Sequence, residues 1–324
     1  MAGNLEPVGT LLAVLAICAS GGCLAQSVAA GGATATAPAR IRYGKPRFVC
    51  NLANRQIDES SGIACSRRRA GLFWTHNDSG DRPRLFAFDE KGRHRATLTV
   101  VGALNRDWED IASFSLGAKH YLLICDTGDN DRARRFVTLY LVEEPALDPG
   151  RTAVEARTRP VQTVHFTYDD GPQDCESVAV DPTTRTIHLV AKRGRATVYE
   201  LPLPKQLVAK GLVAKSIARL SVWQATAMDI SPDGLRAVVL TYFFAYEYCR
   251  TPGENWADAF ARKARRLPTP GRRQGESICY GTDARTLYLT SEKLPTPLLS
   301  VPAADGPEPS TRPARARPQG QTDR

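Results

Sequence analysis

A short motif returns five times along this 324-residue chain, and its period limits the fold more than any other feature. "DWEDIASFSLGAKHYLLICD" from Asp107 aligns with "DCESVAVDPTTRTIHLVAK" from Asp174 and "QGESICYGTDARTLYLTSEK" from Gln274. Weaker copies are "ESSGIACSRRRAGLFWTHND" from Glu59 and "ATAMDISPDGLRAVVLTYF" from Ala225. The shared unit is an acid, a small polar residue, Ile or Val, a turn and an alternating strand. With Ile63, Ile111, Val178, Ile230 and Ile278 as the common point, the spacings are 48, 67, 52 and 48 residues. That period is the length of one propeller blade.

Units continue into further β-like runs, "LFAFD" and "ATLTVVG" in the first, "VTLYLV" and "VQTVHFTY" in the second, "TVYEL" and "AKSIARLSV" in the third. Three or four alternating runs per unit predict four-stranded antiparallel sheets, hence an all-β propeller. The last unit, with "TLYLTS" and "PLLSV", lacks an outer strand, and "RFVCNLA" at Arg47–Ala53 precedes the first unit as a spare. Placing that strand in the last blade closes the ring and removes its open edges. Five blades fit this count, and a degenerate sixth around residues 243–270 stays open. "ENWADAFARKARR" predicts a helix with Trp256 and Phe260 four apart on one face.

The series "HNDSGD", "DWEDIA", "CDTGDNDRARR", "EEP", "DCESVAVDP", "AMDISPDG" and "QGES", over residues 58–293, resembles exported bacterial propeller proteins grouped near the phytase-like and esterase-like propellers. The resemblance implies the architecture over most of the chain. It does not extend to the acid and lysine motifs of β-propeller phytases.

Residues 1–30 carry an apolar run, "TLLAVLAICASGGCLAQSVAA", that ends in small residues and reads as an export signal cleaved after Ala25 or Ala30. A lipid anchor at Cys23 is the lesser alternative. Export to the periplasm or the medium follows, with one propeller domain at 41–303 and a disordered, basic, Pro-rich tail at 304–324. No later run is long enough to span a bilayer. An oxidising compartment would allow disulfides among Cys50, Cys65, Cys125, Cys175, Cys249 and Cys279. Blade positions suggest Cys65 with Cys279 and Cys125 with Cys175. The net charge of +9 attracts anions, but no aromatic-basic motif predicts specific nucleic-acid binding. A monomer is expected.

In a propeller, the connection into each inner strand and the connection between second and third strands emerge on one face. That gathers the acids around the channel mouth. Glu59, Glu109, Glu176 and Glu276, with Asp126, Asp129 and Asn130 of "CDTGDND", form an oxygen-rich set suited to Ca²⁺. Asn77, Asp78, Lys192, Arg193, Tyr242, Glu292 and Lys293 are candidate ligand-binding residues on the same rim. Two readings of the matched glutamates stay open: a cation or ligand site, or a structural tie in which each accepts backbone N–H bonds from the next blade. Asx-stabilised turning is the structural alternative for "CDTGDND".

The chain lacks a GxSxG elbow, a Walker loop, a GxGxxG fingerprint and zinc spacing, which excludes those chemistries as motif-based assignments. The leading expectation is a Ca²⁺-bearing acidic face that binds a small anionic molecule, a glycan or a protein. The alternative is a metal-dependent hydrolase of phosphate esters or lactones, with Asp107, Glu109 or Glu176 as metal ligand or base.

Overall fold

Burial along the strands explains how the repeats pack. A computed structural model describes residues 40–148, 153–205 and 208–304. The expected export signal with Cys23 and the tail from residue 305 lie outside the described residues. The chain begins with β1 (Arg47–Asn51), then β2 (Ser60–Cys65), β3 (Leu72–Asn77), β4 (Arg84–Asp89) and β5 (His94–Val100). A second run gives β6 (Trp108–Leu116), β7 (Lys119–Asp126), β8 (Val137–Glu143), β9 (Val154–Thr158) and β10 (Gln162–Tyr168). A third gives β11 (Cys175–Asp181), β12 (Thr186–Ala191), β13 (Arg195–Pro202) and β14 (Val208–Trp223). Next come β15 (Ala225–Ile230), β16 (Arg236–Thr241), β17 (Ala245–Cys249), α1 (Trp256–Ala261) and β18 (Arg265–Leu267). The last are β19 (Ser277–Tyr280), β20 (Leu287–Thr290) and β21 (Pro297–Val301).

The fold is all-β, as the alternating runs predict. β2-β3-β4-β5 are antiparallel neighbours, and β9 adds to β5 in parallel. β6-β7-β8-β10 and β11-β12-β13-β14 join through a parallel β10–β14 pairing into one eight-stranded sheet. β15-β16-β17-β18 and β19-β20-β21-β1 are four-stranded. β1 pairs antiparallel with β21, so the two ends of the described chain share a sheet.

β2, β11 and β15 are buried at every residue, whereas β10 alternates and β1 is mostly exposed. Continuous burial in short runs such as "SSGIAC" and "ATAMDI" reflects neighbours on both faces. β2 packs on β6, β6 on β11, β11 on β15, β15 on β19, and β19 back on β2. Five apolar clusters fill the spaces between successive members of this cycle. Ala64 and Trp74 meet Ile111 and Ile124, Leu123 meets Val178 and Leu189, and Val190 meets Met228 and Val239. Leu240 meets Ile278 and Leu289, and Ile63 and Phe73 meet Cys279 and Leu298. Burying one such large side chain contributes roughly 1.5–3 kcal/mol.

The "EEP" acid Glu144 ties neighbouring sheets. It accepts from Trp74 Nε1 at 2.9 Å, from Arg67 N at 3.1 Å and from the Ser66 hydroxyl. α1 is shorter than the sequence suggests, and Trp256 stacks on Phe260 with centroids 5.2 Å apart, both buried in the β12–β16 cluster. Among the described residues no helix is long and apolar enough to cross a membrane.

The disulfides expected from an oxidising compartment are absent: all six described cysteines are free thiols. Cys65 and Cys279 do approach, with Sγ atoms 3.6 Å apart, but this is a contact between thiols and far beyond an S–S bond. Burial raises the Cys279 and Cys125 thiols well above their ordinary pKa, which keeps them protonated and unreactive.

Candidate acidic site at the ring mouth

Repeated backbone bonds draw two sets of loops to one end of the β2-β6-β11-β15-β19 cycle. Asp78 N donates to Glu59 O, Gly128 N to Asp107 O, Lys192 N to Asp174 O and Glu292 N to Gln274 O, at 2.8–3.3 Å. Each bond ties the loop after a second strand to the segment that leads into its own first strand. Pairing register shifts occur between Ser60 and Gly62, Trp108 and Asp110, Cys175 and Ser177, and Ala225 and Ala227. The extra residues at these bulges are Ser61, Glu109, Glu176 and Thr226, and Glu276 stands just before the first pair of β19. A bulge breaks strict side-chain alternation and re-aims a residue. It therefore lets Glu109 and Asp110, adjacent in sequence, both serve the ring interior.

The register also corrects the fourth repeat. Met228, not Ile230, is the residue paired like Ile111 and Val178, so Thr226 stands where three of the sheets have glutamate and the first has Ser61. Its hydroxyl donates to Gly275 O at 2.8 Å, much as Ser61 Oγ donates to Glu109 O at 3.0 Å.

Seven carboxylates gather in three overlapping groups whose oxygens lie within 4.8 Å of one another: Asp78–Asp107–Glu109, Asp78–Glu276–Glu292 and Glu109–Asp174–Glu176. Asp78 and Glu109 each belong to two groups, so the acids form one continuous arc. Gly128 makes room for it, because a Cβ there would collide with the carboxylates of both Asp107 and Glu109. Among the described residues, two cations lie within ion-pair distance of these acids. Lys192 pairs with Glu176 and lies over the Tyr242 ring at 5.3 Å, and Arg193 Nε reaches Asp174 Oδ2 at 3.3 Å.

Glu109 is 5% exposed. Its carboxylate has no hydrogen-bond or ion-pair partner among the described residues. Burial, then the charges of Glu176, Asp78 and Asp107, hold its pKa well above the ordinary range. Burial lifts Asp107 to about 6 with help from Asp78 and against Arg134. It lifts Glu176 to about 8 although Lys192 opposes it. Burial and the hydrogen bond to Glu276 lift Glu292 to about 9. Burial leads in every case and neighbouring carboxylates add to it, while at Glu176 the Lys192 ion pair offsets the rise only in part.

Other candidates stand apart from the arc. Asp126 pairs with buried Arg134 at 3.0 Å and accepts from Asp107 N at 3.0 Å. Asp129 accepts from Ala133 N and Arg134 N, both at 2.9 Å, which is a turn-forming role. Asn130 is exposed and faces Arg193 at 3.5 Å. Glu59 is exposed, and burial with Asp58 and Asp78 raises its pKa while Lys293 opposes. Asn77 is spent on Gln56 O, Asp58 and Asp81. Asn130, Asp174, Lys192 and Arg193 border a cleft of about 510 Å³ with the exposed Trp223.

The tie between sheets falls to acids other than the matched glutamates. Asp110 Oδ1 accepts from Ile111 N at 2.8 Å, and Oδ2 from Val178 N at 2.9 Å and Met228 N at 3.2 Å, linking β6, β11 and β15. Asp229 accepts from Ile230 N and Tyr280 N, both at 2.8 Å, linking β15 to β19. The signal was the acid directly before isoleucine in "EDI" and "MDI", which the alignment passed over in favour of the preceding position. Compared with protein-family models and with curated proteins, the chain matches none.

Proposed function

We propose that this chain is a five-bladed β-propeller of the exported, phytase-like or esterase-like kind. Its mouth binds a divalent cation, Ca²⁺, and through it a small anionic molecule, a glycan or a protein. The cycle of five first strands, the five apolar clusters between them and the β1–β21 pairing support the architecture.

The observation that carries the cation is Glu109, buried, without a partner and shared by two groups of carboxylates. A buried unpaired charge is costly, and a cation removes both that cost and the repulsion around it. The donors are all oxygen, which favours Ca²⁺ over softer metals. The oxygens of each group all lie within 4.8 Å of one another, inside the roughly 5 Å that separates oxygens on opposite sides of a Ca²⁺. Asp78, Asp107 and Glu109 would hold the ion on one side of the arc, and Glu109, Asp174 and Glu176 on the other. Lys192 and Arg193, beside the cleft of about 510 Å³, would meet the negative group of the ligand. In the hydrolase reading the same cleft would hold the substrate, and a cation held by these carboxylates would supply bond polarisation and an activated water.

Calorimetric titration of chelator-treated protein with Ca²⁺ tests the reading. Saturable binding is expected, with affinity lowered at least about tenfold by Glu109→Gln together with Glu176→Gln. Failure to bind Ca²⁺, with no change in melting temperature on adding EDTA, defeats the cation reading. Ca²⁺-dependent turnover of phosphate esters or lactones would select the hydrolase.

A further inference from the structure

We propose that a second cavity, beside the acidic mouth but of opposite charge, binds a small organic anion. It measures about 460 Å³ and lies where the β18–β19 loop meets β1 and the β20–β21 loop. Arg47, Arg272, Arg273 and Lys293 line it. Among the described residues none of these four is within ion-pair distance of a carboxylate. Glu292, the acid of the lining, belongs to the mouth group whose Asp78 and Glu276 oxygens lie within 4.8 Å of its own.

Arg272 is the informative member. Its Nη1 donates to Pro270 O at 3.2 Å and its Nη2 to Thr241 O at 2.9 Å. Its Nε is enclosed and donates to nothing. The guanidinium is thus held in place by neutral carbonyls, and burial alone lowers its pKa to about 10. Gly275 is required for this arrangement, since a Cβ there would overlap the Arg272 side chain. Arg47, Arg273 and Lys293 share the lining as exposed cations, and a guanidinium partly buried against neutral carbonyls gains when an anion joins it. Its planar fork suits the oxygens of a carboxylate or phosphate. Leu294, Pro295 and Pro297 give the same cavity an apolar wall for the body of the ligand, and the volume fits a small molecule.

The cations here do not depend on a metal, so the site stands independently of the Ca²⁺ reading. The test is calorimetric titration of the full chain in EDTA with phenyl phosphate, benzoate and inorganic phosphate, at constant ionic strength set with chloride. Saturable binding of phenyl phosphate or benzoate is expected, tighter than that of inorganic phosphate. Arg272→Gln should weaken it at least about tenfold, the effect of losing a charged hydrogen-bond partner. If Arg272→Gln does not fold, Arg273→Gln with Lys293→Gln carries the test and should weaken binding by a similar factor. Absence of saturable binding by every probe in EDTA overturns the proposal, as does binding undiminished in the variants that fold. Binding that requires Ca²⁺ and is lost in Glu109→Gln would place the anion at the mouth and also overturn it.

Discussion

Asp110 and Asp229, in the body of the first-strand cycle, are buried like Glu109 and Glu176 at its mouth, yet the two pairs face different partners. The body acids accept backbone N–H groups from neighbouring sheets. The mouth acids face other carboxylates, with Lys192 as the nearest relief. Burial raises the pKa of all four. A high carboxyl pKa therefore does not separate architecture from function in this molecule; the supply of donors does. Where N–H groups converge on the acid, the fold is complete without a ligand. Where carboxylates converge, something positive is missing.

Asp110 should show the largest difference between body and mouth. Removing its side chain strands the N–H groups of Val178 and Met228 inside the ring. Each unsatisfied buried group costs about 1–3 kcal/mol, so Asp110→Ala should lose about 3 kcal/mol or more in urea unfolding. Glu109→Ala should lose far less, since no hydrogen bond goes with it. Equal losses in the two variants would erase the distinction between body and mouth.

The fold was more legible than the site, for physical reasons. Strand alternation and the repeat period are properties of single segments, so the four-residue pattern around Ile111 and Val178 was readable directly. Even the pairing of β1 with β21 followed from a count of strands. The fourth unit slipped by two residues because "AMDI" offers Met228 and Ile230 as equally apolar anchors, and only hydrogen-bond register separates them. β9 was also missed, because "VEART" is a half-exposed edge strand that becomes ordered by pairing with β5. Glu109, Glu176 and Glu276 were visible as matched acids. Asp174 joins Glu109 and Glu176 in one of the acid groups, and Arg272 owes its setting to Gly275, relations that arise only when distant loops meet. "CDTGDND" looked richest in ligand oxygen, yet its Asp126 and Asp129 are already occupied by Arg134 and by turn amides.

A smaller effect sharpens the mouth side through pH. The unfolded chain releases the protons of Glu176 and Glu292 near the ordinary value of 4.5, whereas the folded chain keeps them to about 8 and about 9. Between those limits the native state binds more protons, so stability falls as pH rises. Their contribution is complete below about 4.5 and is lost as pH climbs through 8 and 9. Without divalent cations, the melting temperature should drop from pH 5 to pH 9. Glu176→Gln cannot ionise and should reduce the drop by about 1 kcal/mol, roughly 3 °C for a domain of this size. Ca²⁺ should restore more stability at pH 9 than at pH 6, because at pH 6 protons compete for the same oxygens. A pH profile unchanged in Glu176→Gln would remove that residue from the acids whose protons the fold retains.

The smallest effect comes from Asp129, an acid close to the mouth in sequence but bonded like the acids of the body. Its two oxygens take the N–H groups of Ala133 and Arg134 at 2.9 Å, and its own N–H goes to Asp174. An asparagine keeps one carbonyl acceptor and turns the other oxygen into a donor that meets an N–H head-on. Asp129→Asn should therefore lower stability by about 1 kcal/mol through the turn, and leave Ca²⁺ affinity within about twofold, since Asp129 belongs to none of the three acid groups. Glu109→Gln should do the reverse, changing stability little and affinity strongly. If Asp129→Asn instead weakened Ca²⁺ as much as Glu109→Gln, the donor rule that separates the two regions would fail where it is most exposed to test, at an acid whose hydrogen bonds mark it as structural.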